Sequence, residues 1–313
     1  MRALIFPGQG SQAVGMAKGL AEEFPQAKAV LDEVDDALSQ PLSRLMAEGP
    51  VEALTLTANA QPALMAASLA ALRVLEAERG LDLARDVSCV AGHSLGEYAA
   101  LAAAGSLSIA DAARLLRLRG EAMQAAVAPG VGAMAALIGT DVEAARGIAE
   151  AASLESGGAV CDVANDNGGG QVVLSGDRAA VERAVGIATE RGVKRAVMLN
   201  VSAPFHCRLM APAADAMAAA LAKVDLKAPR VTLYANVTAA PVAEPETIRA
   251  ALVEQVTGTV RWRESVAAMA GAGVDQFYEL GAGKVLTGLV KRIAPQARAT
   301  AIGTPADVAA FAL

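Results

Sequence analysis

Val87-Ser-Cys-Val-Ala-Gly-His-Ser-Leu-Gly-Glu-Tyr-Ala-Ala-Leu101 is the stretch whose reading decides the fold. It opens as an apolar β-type run, turns through Gly92-His93-Ser94-Leu95-Gly96, and continues as an Ala- and Leu-rich helix. Strand, Gly-X-Ser-X-Gly, helix is the context in which this short motif presents a nucleophile on a sharp turn. A Cβ at Gly92 or Gly96 is expected to strike the neighbouring strand or helix. Ser94 is thereby held above a sheet at a helix N-terminus. The N–H of Leu95 points to the same place, where it can stabilise an oxyanion.

Outward from this turn, composition removes several function classes. A chain of 313 residues with 54 % apolar content can bury a large core, which excludes disorder. No apolar run reaches the roughly 18 residues of a membrane span. Met1-Arg-Ala-Leu-Ile-Phe-Pro-Gly8 meets a glycine turn too early for a signal peptide. Three cysteines, Cys89, Cys161 and Cys207, form no C-x-x-C pair, which fits a reducing cytoplasm and no structural zinc. A net charge of −6 argues against a general nucleic-acid surface.

Taken in order, residues 3–6 read as a buried strand followed by a glycine loop. Gly8-Gln9-Gly10-Ser11-Gln12-Ala13 matches a loose dinucleotide fingerprint. That fingerprint needs a second strand ending in an acid about 20 residues on. Here Val30, Leu31, Val34 and Leu38 recur at helical spacing, so Asp32 belongs to a helix. The alternative is a loop that presents Gln9 and its N–H to a catalytic centre. Residues 41–80 read as helical, with Asn59-Ala-Gln61-Pro62 as a helix start. In the helix over about 108–126, Arg119 falls at the centre of the face made by Leu115, Leu116 and Met123. An arginine there needs an anion, which is either an internal carboxylate or a ligand.

Residues 127–202 predict strand 132–138, helix 141–152, strand 159–164, turn 165–170, strand 171–174, a helix from Asp177 to about Arg191, and strand 194–201. This βαββαβ order is ferredoxin-like. Strand 231–235, helix 245–256 and a final strand 277–280 follow. Gly281-Ala-Gly-Lys284 lacks the Ser or Thr and the spacing of a P-loop and reads as a strand-to-helix turn.

The chain has two histidines. His93 adjoins Ser94 on the tight turn and faces away from it, so His206 is the candidate base by elimination. No Asp or Glu stands out at a strand end between Ser94 and His206; a backbone carbonyl is one group able to orient the imidazole instead.

Phe6-Pro-Gly-Gln-Gly-Ser-Gln12, Gly92-His-Ser-Leu-Gly-Glu-Tyr98, Arg117-Leu-Arg-Gly-Glu-Ala-Met123, Gly132-Ala-Met-Ala-Ala-Leu-Ile-Gly139, Ala203-Pro-Phe-His206, Val260-Arg-Trp262 and Gly283-Lys-Val-Leu-Thr-Gly-Leu-Val-Lys-Arg292 occur in this order. Together they make the chain resemble, over essentially its full length, the malonyl-CoA:acyl-carrier-protein transacylases of bacterial fatty acid synthesis. The resemblance implies an α/β fold. A large α/β-hydrolase-like domain with a parallel sheet spans residues 1–126 and 203–313, and a ferredoxin-like small domain, residues 127–202, is inserted in it. It implies Ser94 as nucleophile and His206 as base. By the same resemblance the N–H groups of Gln9 and Leu95 would form the oxyanion hole, and Arg119 would bind the malonyl carboxylate. The resemblance also implies that the main-chain carbonyl of Gln255 orients His206, that Asn165 stands near it, and that Phe205 narrows the pocket against α-branched acyl groups. Gly168-Gly169-Gly170, Thr259 and Ala282 depart from common family residues, and each departure is expected to loosen a loop near the site.

The expected activity is ping-pong malonyl transfer from malonyl-CoA to acyl carrier protein, without metal or other cofactor, in a cytoplasmic monomer. The rival readings are an acyltransferase serving polyketide synthesis or malonate decarboxylation, a serine esterase, and a non-catalytic docking protein. Arg191, Lys194 and Arg195, or Lys284, Lys291 and Arg292, are the basic clusters on offer to an acidic carrier protein.

Overall fold

The structure, a computed structural model, describes residues 1–313. Its strands are β1 (Arg2–Phe6), β2 (Cys89–Gly92), β3 (Gly132–Ile138), β4 (Cys161–Gly168), β5 (Gln171–Asp177), β6 (Arg195–Met198), β7 (Thr232–Tyr234), β8 (Pro241–Val242), β9 (Gln276–Leu280) and β10 (Arg298–Ile302). One sheet has the order β10-β9-β1-β2-β7-β8. All its pairs are parallel except the last. Helices cover both faces, so β1 and β2 read as continuous apolar runs rather than alternating ones. The second sheet is antiparallel, with the order β4-β5-β3-β6. With helices Val142–Glu155 and Arg178–Glu190 it makes a ferredoxin-like βαββαβ unit.

Strand alternation explains how the two sheets pack. Along β3, Ala133, Ala135 and Leu137 face the two helices of the small unit in a core of their own. Met134 and Ala136 point the other way and join the main core. The helix Thr57–Arg79 is buried on nearly every side and runs through that main core. It meets the helix Ile109–Ala125 at Gly120, where a Cβ would lie 2.6 Å from Ala58 Cα.

Register places the turn at residues 92–96. Phe6 pairs with Gly92, so β1 and β2 end side by side and both chains leave the same sheet edge. That edge is the carboxyl end of parallel strands, where α/β sheets open their ligand crevices. A Cβ on Gly92 would lie 1.9 Å from the Gly96 carbonyl, and one on Gly96 would lie 2.2 Å from the Phe6 carbonyl oxygen. Only glycine lets strand, turn and helix approach so closely.

Several expectations need correction. Residues 41–80 form three helices, Leu42–Glu48, Val51–Thr55 and Thr57–Arg79, and the last begins before Asn59. Pro62 therefore sits inside a helix rather than at its first turn, a second turn tolerating the lost N–H because tertiary burial holds it. Asn165-Asp-Asn167 is not a turn. β4 runs on to Gly168, and two register irregularities absorb these poor strand formers. β6 is shorter than the predicted 194–201 strand. The last strand is β10, not β9; its Arg298-Ala-Thr-Ala-Ile302 sequence is an edge strand too mixed to stand out. The helix Pro25–Leu38 does hold Asp32 on its exposed side, which removes the dinucleotide reading. Gly281–Lys284 does lead into a helix, Val285–Ile293. Buried Glu279 caps it by accepting from Leu286 N (3.0 Å) and Thr287 N (2.7 Å). No helix is long and apolar enough to cross a membrane.

Candidate active site

A cleft of about 590 Å³ opens between the two sheets. Ser94, His206 and Arg119 reach it from three different elements, and Gln9, Asn165 and Phe205 also line it.

Ser94 lies on the turn with φ 54°, a left-handed conformation rare for a non-glycine residue. Two side chains hold it there. Asn236 Oδ1 accepts from Ser94 N–H at 2.7 Å, and Gln255 Nε2 donates to the Ser94 carbonyl at 3.0 Å. Asn236 Nδ2 also donates to the Gly92 carbonyl at 2.6 Å, so one amide bridges both sides of the turn. Neither residue was identified from the sequence in this role. Asn236 stands just past β7 at the carboxyl edge of the parallel sheet, a position that could have marked it.

His206 has φ 58° and is buried. Its Nδ1 lies 2.8 Å from the Gln255 carbonyl oxygen, and its Nε2 lies 2.7 Å from Ser94 Oγ. A carbonyl only accepts, so the proton sits on Nδ1. Nε2 then offers its lone pair to the serine hydroxyl. Burial, followed by the nearby Arg119 charge, pushes the imidazole pKa down to about 3, so the free enzyme holds a neutral proton acceptor. His93 is committed elsewhere: its Nε2 bonds Asn167 Oδ1 at 2.8 Å, and its ring meets Trp262 edge-on at 5.6 Å.

Arg119 is 1 % exposed. Its Nη1 donates to Gln61 Oε1 at 2.8 Å, and its Nη2 donates to Gln255 Oε1 at 2.9 Å and to Ser94 Oγ at 3.3 Å. The guanidinium also lies 5.9 Å from the centre of the Tyr98 ring. No carboxylate pairs with it directly, so the internal ion pair weighed from the helical wheel is absent. The closest link to a carboxylate runs through Gln255, whose Nε2 donates to buried Glu97 at 2.7 Å. Burial lowers the arginine's pKa, and burial pushes the Glu97 carboxyl up to about 7 although Asn236 N–H and Gln255 donate to it.

The N–H groups of Gln9 and Leu95 have no acceptor within the protein. Asn165 and Phe205 line the cleft without bonding Ser94 or His206. Phe205 is buried beside the imidazole, and the backbone of Asn165 bridges to Val260. Of the departures from the family pattern, Thr259 ties its segment down rather than loosening it. Thr259 Oγ1 donates to the Val163 carbonyl at 2.6 Å, and all of Gly168, Gly169 and Gly170 have positive φ. A Cβ on Gly168 would lie 2.5 Å from Ile293 Cγ1.

A serine hydroxyl on a strained turn, a tautomer-fixed imidazole and two free N–H groups suit acyl transfer through a covalent serine. Comparison with known proteins agrees on acyl transfer. The sequence profile of the acyl transferase domain matches residues 3–306. The chain belongs to the acyl transferase domain family. Among its acyl transferase relatives, the Bacillus subtilis malonyl CoA-acyl carrier protein transacylase is 45 % identical over 306 residues, covering 98 % of this chain and 94 % of the relative. The crystal structure of the Bartonella henselae acyl-carrier-protein S-malonyltransferase is 55 % identical with a TM-score of 0.95, covering 99 % of this chain and 97 % of that one. A malonyl-transacylase solved in complex with a type II polyketide acyl carrier protein is 42 % identical with a TM-score of 0.94, covering 98 % and 97 %. The large unit of this acyl transferase is thus α/β-hydrolase-like, and the small one ferredoxin-like.

Proposed function

We propose that the protein transfers the malonyl group of malonyl-CoA to the phosphopantetheine thiol of acyl carrier protein, in the cytoplasm, for fatty acid synthesis. The observation that carries this reading is Arg119, a buried guanidinium 3.3 Å from Ser94 Oγ with no carboxylate of its own. An uncompensated buried charge costs several kcal/mol, of order ~3–5 when a partner is missing. A substrate carboxylate supplies that partner, through two parallel hydrogen bonds that suit a guanidinium. The names of the relatives point to the same substrate.

In the first half-reaction Ser94 Oγ attacks the thioester carbon of malonyl-CoA and its proton passes to His206 Nε2. The oxyanion accepts from Gln9 N–H and Leu95 N–H. The carbon–sulfur bond then breaks, and the CoA thiolate takes the proton from His206. In the second, the carrier thiol gives its proton to His206 and attacks the malonyl-serine. Ser94 Oγ leaves and is reprotonated. The Gln255 carbonyl holds the imidazole throughout and stabilises its transient positive charge. No step calls on a metal or redox cofactor. An esterase of generic substrate has no use for a buried arginine in its acyl pocket.

The test is intact mass. After malonyl-CoA and an acid quench, one malonyl adduct is expected on the wild type and none on Ser94→Ala. Holo acyl carrier protein should then discharge the adduct and become malonylated. Absence of a wild-type adduct, or its release only as free malonate, overturns the proposal. The relative solved with a polyketide carrier favours one second reading, a polyketide acceptor. Discharge rates with fatty acid and polyketide carriers side by side decide between them.

A further inference from the structure

Beyond the residues that touch the acyl group, three hydrogen bonds join the guanidinium to the loop of the oxyanion hole. Arg119 Nη1 donates to Gln61 Oε1 at 2.8 Å. Gln61 Nε2 donates to Thr57 Oγ1 at 3.0 Å. Thr57 Oγ1 donates to Gln9 Oε1 at 2.9 Å. Arg119, Gln61 and Thr57 are each 1 % exposed, so water does not compete for the first two bonds, and the third is part-buried where it reaches exposed Gln9.

The direction of the chain follows from its first member. A guanidinium has donors only. Gln61 must therefore turn its carbonyl oxygen to Arg119 and its NH₂ to Thr57. That NH₂ occupies a lone pair of the Thr57 hydroxyl, so the hydroxyl hydrogen is free to point at Gln9. With that hydrogen on Gln9, the amide presents its carbonyl oxygen. Every bond runs the same way, and aligned bonds polarise one another. Gln9 is exposed on a glycine-flanked loop, with Gly8 packed on His93 on one side and Gly10 at φ 100° on the other. In the interior direction its side chain has no other tether.

We propose that Thr57 is a positioning residue for acyl transfer: its hydroxyl, aligned by Gln61 from Arg119, holds Gln9 so that the Gln9 N–H faces the oxyanion. The site that reads the substrate's far end is thereby wired to the site that stabilises its reacting end. The proposal rests on the malonyl-serine reading above, which the wild-type adduct tests separately.

The decisive variant is Thr57→Val, which keeps the shape and removes the hydroxyl. Oxyanion help is felt in the transition state and not in substrate binding. Single-turnover acylation should therefore slow by about tenfold, short of the 10²–10³ for a donor removed outright. KM should hold, and malonyl-CoA and acetyl-CoA should lose by a common factor. Thr57→Ser should return to within about twofold of wild type. Gln9→Met, on an exposed side chain, should reproduce the loss and keeps the test open if Thr57→Val does not fold. The double variant should lose no more than either single one, since coupled neighbours are not additive. Rates within about twofold of wild type in the single variants, additive losses in the double one, or a loss confined to malonyl-CoA would each overturn the proposal. The last would make Thr57 a support for Arg119 alone.

Discussion

Arg119→Ala separates recognition of malonyl from reactivity of the serine. On the proposed reading the guanidinium holds the malonyl carboxylate through two charge-assisted bonds, each about 1.5–3 kcal/mol. Allowing for water that enters the space left behind, the loss for malonyl-CoA is about 3–5 kcal/mol, or roughly a hundredfold to several thousandfold in kcat/KM. Acetyl-CoA has no such carboxylate. It loses only what Arg119 Nη2 does for Ser94 Oγ, a single bond whose 3.3 Å length puts it at the low end for a charged donor, about 1.5 kcal/mol or roughly tenfold. The malonyl-to-acetyl ratio should therefore fall by at least about tenfold, with Ser94 still acylated. Arg119→Lys should recover part of the ratio, because a point charge cannot make the fork and can satisfy Gln61 and Gln255 only in part. The assay is acyl-enzyme formation from the two thioesters side by side, read by quenched mass. An unchanged ratio refutes the reasoning and leaves Arg119 as a structural residue.

His206→Ala should slow acylation by about 10²–10⁴ while the fold persists, checked by stopped mass and thermal melting. Because His206 sits near 3 in the free protein, kcat/KM for acylation should stay flat through the usual imidazole range near 6.5. Malonyl pairing cancels part of the Arg119 charge that depresses it, so the kcat profile should break at a higher pH than the kcat/KM profile. The same shift bears on stability. The unfolded chain binds a proton at this histidine between pH 6.5 and about 3 and the native one does not, so stability should fall with acid across that window. Glu97 acts oppositely: raised from 4.5 to about 7, it favours the native state below 4.5 and loses that contribution as pH rises to 7. Urea titrations of His206→Gln and Glu97→Gln across this range should show the two slopes changing in opposite senses. Ser94→Gly should melt above Ser94→Ala by about 1 kcal/mol of stability, since only glycine relieves the 54° φ, with neither labelled by malonyl-CoA. Exposed Lys194 packs at Gly139 and exposed Arg292 at Gly169, in two neighbouring glycine segments joined by the Gly139 N–H donating to the Gly170 carbonyl. Reversing both charges should weaken transfer to an acidic carrier protein, and its salt dependence, more than acylation by malonyl-CoA.

Ser94, the flanking glycines and the helix after them could be read locally because the strained turn imposes its own residue types. A Cβ at 92 or 96 meets backbone, whatever the rest of the chain does. Arg119 stood out for a similar reason: a charge on the apolar face of a periodic helix conflicts with its neighbours in the sequence itself. The order of strands and helices between 132 and 198 was also legible, because hydrophobic periodicity is local. What the sequence could not decide was what Arg119 pairs with, since ion pair and ligand pocket leave the same helical pattern. Only the packing of helix 57–79 against helix 109–125 puts Gln61, rather than a carboxylate, at the guanidinium. Asn236 and Gln255 come to Ser94 across 142 and 161 residues of chain, where no spacing rule reaches. Asn165-Asp-Asn167 misled for the opposite reason. Local propensity favours a turn there, but pairing with β5 and the bridge to Val260 keeps the segment in a strand. The sequence by itself determined which groups had chemistry to offer. The tertiary structure decided their protonation and their bonding direction, because burial and long-range hydrogen bonds set those, and both exist only once distant segments have met.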